Sequence, residues 1–101
     1  MDRSRLGISD EALSAFCQKH RIRRLAAFGS VLRRDFSPES DIDLLAEFAP
    51  GERVGFIRLG TIEAELSELL DRQVDLNLAS SLSAGFRDKV LGEAEPVYDA
   101  A

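Results

Sequence analysis

The sequence predicts a small α/β or α+β domain, in which a short sheet carries helices on one side. Two observations lead to this class. Apolar or alternating stretches at 22–28, 41–48 and 73–78 have the length of strands. Segments at 9–20, 54–70 and 81–95 place apolar residues at helical spacing. The pattern leaves the parallel or antiparallel sense of the strands open.

The first helix and the first strand have clear local signals. Ser9 can cap the helix, because its hydroxyl can accept a hydrogen bond from a free N–H group of the first turn. The apolar positions of this helix include Cys17, which we interpret as a small buried hydrophobe. The run 25–28 is predicted as a buried strand that stops at Gly29-Ser30. Pro38 then indicates a loop, since it disfavours helix at Ser37 and cannot donate to a sheet.

The second half of the chain predicts helix, strand, helix and a short edge strand. The helix at 54–70 runs through Gly60 and is expected to pack on the sheet through the set Phe56, Leu59, Ile62, Leu66 and Leu69. In 73–78, alternation turns the apolar residues to the core and turns Asp75 and Asn77 the other way. Ser81 or Ser83 can cap the last helix, Pro96 ends it, and Val97-Tyr98 forms the edge strand.

Composition excludes several classes of protein. We expect residues 1–101 to form a single domain. With 13 basic and 18 acidic residues the net charge is -5, which disfavours direct nucleic-acid binding. One cysteine and one histidine exclude an internal disulfide and a Cys/His zinc set. No apolar run could cross a bilayer or serve as an export signal, so we expect a soluble, cytoplasmic protein.

Three aspartates stand at polar positions of otherwise apolar strands: Asp41, Asp43 and Asp75. Carboxylates that face one another on adjacent strands repel unless cations lie between them, and Mg²⁺ favours carboxylates together with substrate phosphates. We therefore predict that these three residues are catalytic and bind two Mg²⁺ ions. Asp41 and Asp43 would hold the ion on a nucleoside triphosphate, while Asp75 could accept the proton of an incoming hydroxyl. The alternative, a single turn or solvent-facing aspartate, explains Asp41 alone but not the set.

The Gly29-Ser30 corner predicts contacts with phosphate. Gly29 allows close approach of the backbone, and Ser30 supplies a hydroxyl beside N–H groups of the following turn. Arg33 can offset triphosphate charge, although a solvated surface cation is nearly as good an explanation. An EF-hand is excluded because Leu45 and Ala46 stand where an oxygen ligand and a glycine are needed, and neither a Walker loop nor a dinucleotide corner is present.

Gly29-Ser30, ten residues that end in Ser40, and then Asp41-Ile42-Asp43-Leu44 resemble the signature of the polymerase-beta-like nucleotidyltransferase superfamily, and within it the minimal nucleotidyltransferases (MNT). Asp75 falls where the third carboxylate strand of that family should follow the long helix. The resemblance implies a mixed sheet, a nucleotide-binding role for Ser40, and Mg²⁺-dependent transfer of a nucleoside monophosphate, with ATP as substrate and pyrophosphate as product.

The resemblance also implies a partner. Many minimal members act as the antitoxin of a HEPN toxin, in some cases by adenylylating a tyrosine of that toxin. Two alternatives stay open: an antitoxin that neutralises by binding only, and a small-molecule transferase of the aminoglycoside type. The chain departs from the family at Arg34, where many members have glycine, which bears on the shape of the turn and on the acceptor surface.

Overall fold

The computed structural model describes residues 7–29, 41–78 and 82–100. Along them the elements follow the order α1, β1, β2, α2, β3, α3, β4. Their bounds, in that order, are Asp10–Lys19, Ile22–Phe28, Ile42–Phe48, Phe56–Leu70, Val74–Leu78, Ala84–Glu93 and Glu95–Asp99. The predicted alternation of helices and strands is confirmed, and so is the strand at the end of the chain.

The four strands form a mixed sheet in the order β3-β2-β1-β4. β1 pairs antiparallel with both β2 and β4, whereas β3 lies parallel to β2. A parallel neighbour needs a crossover connection, which α2 provides. As a result, the end of β1 and the starts of β2 and β3 meet at one end of the sheet.

The main core lies between one face of the sheet and helices α1 and α2. Its most completely buried large side chains include Leu13, Leu25, Leu44, Ile62 and Leu66. A smaller cluster on the opposite face joins Phe28, Leu45 and Val90, so that α3 covers part of that face. The expectation of helices mainly on one side is therefore confirmed, with α3 as the exception.

Helix α2 departs from the predicted buried set at its ends. Ile62 and Leu66 are buried as predicted, but Leu70 rather than Leu69 continues the buried face. Phe56 is 90% exposed, so its predicted packing on the sheet is wrong. Phe56 is the first helical residue, and because helical side chains lean toward the helix N-terminus, its ring extends past the first turn.

The helix ends confirm part of the predicted capping. Ser9 caps α1 by accepting a hydrogen bond from Ala12 N–H at 3.2 Å. Ser83 occupies the N-cap of α3 without a side-chain hydrogen bond, and Ser81 lies outside the described residues. Helix α3 ends at Glu93, three residues before Pro96, and Pro96 itself lies in β4. None of the helices within the described ranges is both long enough and apolar enough to span a membrane.

An ion-pair cluster joins α1 to α2. Glu65 accepts from Lys19 Nζ at 2.6 Å through one carboxylate oxygen and lies 2.8 Å from His20 Nε2 through the other. The hydrogen bond from Lys19, with a hydrogen bond and positive charge from His20, holds the pKa of Glu65 below its usual value. This cluster, in which only Lys19 is well exposed, lies on the helix side of the sheet and does not include Asp41, Asp43 or Asp75.

Candidate active site

The predicted carboxylates lie at the end of the sheet where β1 ends and β2 and β3 begin. In the sheet register Phe28 pairs with Asp43, and Asp43 pairs with Asp75. Paired residues of neighbouring strands present their side chains on the same face. Asp43 and Asp75 therefore share the face opposite to the main core, as the alternation of each strand predicted.

The three aspartates differ in exposure. Asp41 immediately precedes β2 and is exposed, Asp43 is half-buried within β2, and Asp75 is exposed on β3. The half-buried carboxylate thus stands between β1 and the more accessible Asp75. A ligand approaching from solvent can reach Asp41 and Asp75 directly.

Gly29 forms a sharp corner directly after β1. Its φ is +71°, a left-handed conformation that side chains disfavour. A Cβ built at this position would lie 2.5 Å from Asp43 Oδ2, closer than real Cβ contacts come. Gly29 was predicted for its approach to phosphate, and the structure shows that the absence of a side chain also leaves room for the Asp43 carboxylate.

Four sequence positions with assigned or questioned roles lie outside the described residues. These are Ser30, Arg33 and Ser40, for which we predicted nucleotide contacts, and Arg34, where the sequence departs from the family pattern. Their roles stay predictions.

The donor chemistry of the site fits a magnesium nucleotide. Within residues 7–29, 41–78 and 82–100, no three Asp, Glu, His or Cys side chains are arranged to hold a metal ion. Mg²⁺ is commonly bound by one or two carboxylates together with substrate phosphates, rather than by a cage made of protein alone. Asp43 and Asp75, paired across β2 and β3 beside the open corner at Gly29, offer such a partial set of oxygen donors.

Cys17 is excluded as a nucleophile. Its side chain is fully buried in the main core, and burial raises the pKa of its thiol to about 12. Because the thiolate is the reactive form, the thiol is inert at neutral pH. The interpretation of Cys17 as a buried hydrophobe is confirmed.

Two contacts beside the site were not predicted from the sequence. Glu63 Oε2 accepts a hydrogen bond from the backbone N–H of Leu76 at 2.8 Å, and Ser67 Oγ accepts one from Val74 N–H at 3.1 Å. Glu63 looked like an ordinary polar position of an amphipathic helix. Its contact follows from β3 being an edge strand next to α2, which depends on the strand order.

A mixed sheet with paired carboxylates beside a glycine corner is the architecture expected of a nucleotidyltransferase, and comparison with known proteins agrees. The family described as polymerase beta, nucleotidyltransferase matches residues 11–101. The chain belongs to this family. The predicted resemblance and the predicted fold are thus confirmed.

Two relatives within this family are similar to the chain over most of their length. A candidate protein adenylyltransferase of Methanocaldococcus jannaschii is 37% identical over 79 residues, which are 78% of this chain and 83% of the relative. A solved structure described as a minimal nucleotidyltransferase superposes with a TM-score of 0.75 and 33% identity, covering 96% of this chain and 97% of the other.

A more distant match shares the fold. It is a chain from a solved complex of a tri-AMPylated HEPN toxin of Shewanella oneidensis with an MNT antitoxin. The TM-score is 0.63 at 18% identity, over 93% of this chain and 72% of that chain.

Proposed function

We propose that this protein transfers AMP from ATP to a tyrosine hydroxyl of a HEPN-type toxin and thereby acts as an antitoxin. The observation that carries the proposal is the register of Asp43 with Asp75 beside Gly29. The related protein adenylyltransferase supports the reaction, and the AMPylated HEPN toxin complex supports the kind of acceptor. Residues 1–101 would act as one minimal domain, in the cytoplasm, where ATP and a reduced Cys17 are both expected.

Each site residue has a proposed role. Asp41 and Asp43 orient the triphosphate, and Asp75 accepts the proton of the acceptor hydroxyl. The freed oxygen forms a bond to the α-phosphorus as the bond from that phosphorus to the bridging oxygen breaks, and pyrophosphate leaves. Mg²⁺, when bound as two ions by Asp41, Asp43 and Asp75, would supply charge neutralisation for the phosphates.

The corner after β1 would position the nucleotide. Gly29 keeps the backbone close to the phosphates, and Ser30, Arg33 and Ser40 are proposed to contact them. These groups bind the nucleotide, including the pyrophosphate that leaves. The acceptor side is supplied by the partner protein.

The test is transfer of label from α-labelled ATP with Mg²⁺ to a HEPN protein encoded beside this chain. Replacing Asp41→Asn together with Asp43→Asn is expected to abolish labelling, because amides bind Mg²⁺ weakly and carry no charge. Glu68→Gln is the matched control, since Glu68 is an exposed acid on α2 behind the sheet. Labelling that persists in the double variant would contradict the proposal.

A second candidate is an antitoxin that neutralises its partner by binding alone, which the departure at Arg34 favours. It predicts that the Asp41→Asn, Asp43→Asn variant still neutralises the toxin in cells. Loss of neutralisation while the variant still copurifies with the toxin would exclude binding alone as the mechanism.

A further inference from the structure

Helix α2 holds the outer edge of β3 through two side chains. Among the described residues, β3 is the terminal strand of the sheet, and no strand of that part of the chain pairs with its outer side. On that side Val74 N–H donates to Ser67 Oγ at 3.1 Å, and Leu76 N–H donates to Glu63 Oε2 at 2.8 Å. Glu63 and Ser67 stand four residues apart and hence on one face of α2. These two N–H groups flank Asp75.

The two contacts relate differently to Asp75. The N–H of Leu76 belongs to the same peptide unit as the carbonyl of Asp75, so the bond to Glu63 restrains the backbone at Asp75 itself. Asn77 Nδ2 approaches that carbonyl oxygen at 3.3 Å, which restrains the other end of the same unit. The bond to Ser67 acts two peptide units earlier, on the unit between Gln73 and Val74. Glu63 also makes the stronger bond, because its acceptor is charged.

We propose that Glu63 is a positioning residue that holds Asp75 in register with Asp43. The inference rests on the proposed function, in which Asp75 receives the acceptor proton and shares the cation. Glu63 touches neither nucleotide nor acceptor. It fixes the backbone from which the third carboxylate extends, in the way that groups behind a metal ligand fix the orientation of that ligand.

A simpler role for the same contact is protection of an edge strand. Covered N–H groups prevent an edge from pairing with another chain. Ser67 separates the two roles, because it covers the same edge from the same helix without acting on the peptide unit of Asp75. If covering the edge is the whole role, Ser67→Ala and Glu63→Ala should have similar consequences.

The first measurement is Mn²⁺ binding to the full chain in the presence of a non-hydrolysable ATP analogue, read from paramagnetic broadening of the Asp75 amide NMR signal. Glu63→Ala is expected to raise the Mn²⁺ concentration for half-maximal broadening by about tenfold, the lower end of the range seen for such supporting groups. Ser67→Ala is expected to match the wild type. Glu63→Gln keeps an acceptor oxygen and is expected to restore much of the loss.

The second measurement is the rate of AMP transfer from labelled ATP to the HEPN protein. Glu63→Ala is expected to lower kcat by about tenfold with little change in KM for ATP, since Asp41 and Asp43 still orient the nucleotide. Thermal unfolding of each variant checks that it is folded, and Glu63→Leu, which keeps a bulky side chain but has no acceptor oxygen, replaces Glu63→Ala if the latter is not.

Each outcome decides the proposal. Equal losses in Glu63→Ala and Ser67→Ala, or unchanged Mn²⁺ binding and kcat in Glu63→Ala, would overturn the positioning role while leaving the proposed function intact. A wild-type chain that shows neither broadening at Asp75 nor AMP transfer would overturn the proposed function, and the positioning role with it. Loss in Glu63→Ala with recovery in Glu63→Gln supports the inference.

Discussion

Gly29 satisfies two separate requirements at one position. Its backbone has a φ of +71°, and the space where a side chain would begin is occupied by Asp43 Oδ2. Gly51 shares only the first requirement: its φ is +88°, and apart from its two chain neighbours no described residue has an atom within 4 Å of a Cβ built there. Gly51 is therefore a control for Gly29: a side chain at Gly51 would strain the backbone only, whereas one at Gly29 would also displace the Asp43 carboxylate.

We predict that Gly29→Ala and Gly51→Ala lose similar stability but differ in activity. Each should lower the free energy of unfolding by about 1–2 kcal/mol, the usual cost of a left-handed non-glycine residue. Only Gly29→Ala should also push Asp43 aside and reduce AMP transfer, by about a hundredfold if the carboxylate moves by an ångström. Chemical denaturation and the labelling assay measure the two effects. Equal activity in both variants would mean that the contact with Asp43 is unimportant.

At the residue scale, the sequence identified side chains by the type of chemistry they can perform. Asp41, Asp43 and Asp75 were predicted as site residues because charged residues interrupt apolar strands, and Gly29 because it ends one. The contact of Glu63 with Leu76 was not predicted, because glutamate on an amphipathic helix is ordinary. The significance of Glu63 depends on a hydrogen bond to a strand thirteen residues away, and local pattern does not contain that contact.

At the scale of elements, periodicity predicted which helices and strands form, and the errors lie at element ends. The α2 pattern gave Ile62 and Leu66 correctly but failed at Phe56, where the helix starts. The antiparallel pairing of β1 with β2 and the parallel pairing of β2 with β3 were not predictable from pattern, since alternation is the same in both senses. That pairing is what brings Asp43 beside Asp75.

The pairing of Asp43 with Asp75 has a measurable consequence for stability. Like charges directly opposite on neighbouring strands destabilise a sheet by up to about 1 kcal/mol. Without Mg²⁺, Asp75→Asn should therefore raise Tm, by roughly 4–8 °C if the full 1 kcal/mol is recovered. Adding Mg²⁺ with an ATP analogue should raise the Tm of the wild type more than that of the variant, because a ligand stabilises the state that binds it.

Differential scanning calorimetry at low and high Mg²⁺, with the ATP analogue, would measure the Tm of the wild type and of Asp75→Asn in both conditions. Glu68→Gln, remote from the paired strands, is expected to behave as the wild type in both conditions. A lower Tm for Asp75→Asn without Mg²⁺ would show that the Asp75 carboxylate has a stabilising partner whose attraction outweighs its repulsion from Asp43.

At the scale of the whole molecule, the sheet separates two faces that carry different side chains. One face is covered by α1 and α2 around the main core, and the other carries Asp43 and Asp75 with partial cover from α3. The sequence indicated that Asp75 and Asn77 point away from the core. How far each strand lies from Asp75 depends on the strand order β3-β2-β1-β4, which the sequence did not predict.

The separation of the two faces of the sheet bears on whether the protein can transfer AMP to its own tyrosine. Tyr98 is the only tyrosine of the chain, and it lies on β4, the edge strand farthest from β3. It pairs with Leu25 and packs against the main core, on the face opposite to the paired aspartates. Since β4 is three strand spacings from β3, about 14 Å across the sheet, and Tyr98 lies on the opposite face, the Tyr98 hydroxyl does not reach Asp75 within one molecule.

We therefore predict that the chain incubated alone with ATP and Mg²⁺ keeps its intact mass, and that Tyr98→Phe transfers AMP to the partner toxin at the wild-type rate. The reason is geometric: the paired carboxylates and the only tyrosine of the chain occupy opposite faces, so a tyrosine acceptor must come from another molecule. Intact-mass spectrometry at two protein concentrations measures the first outcome and also detects transfer between copies. An AMP adduct that disappears in Tyr98→Phe would show that the site reaches its own chain, and the assignment of the acceptor to a partner would then be wrong.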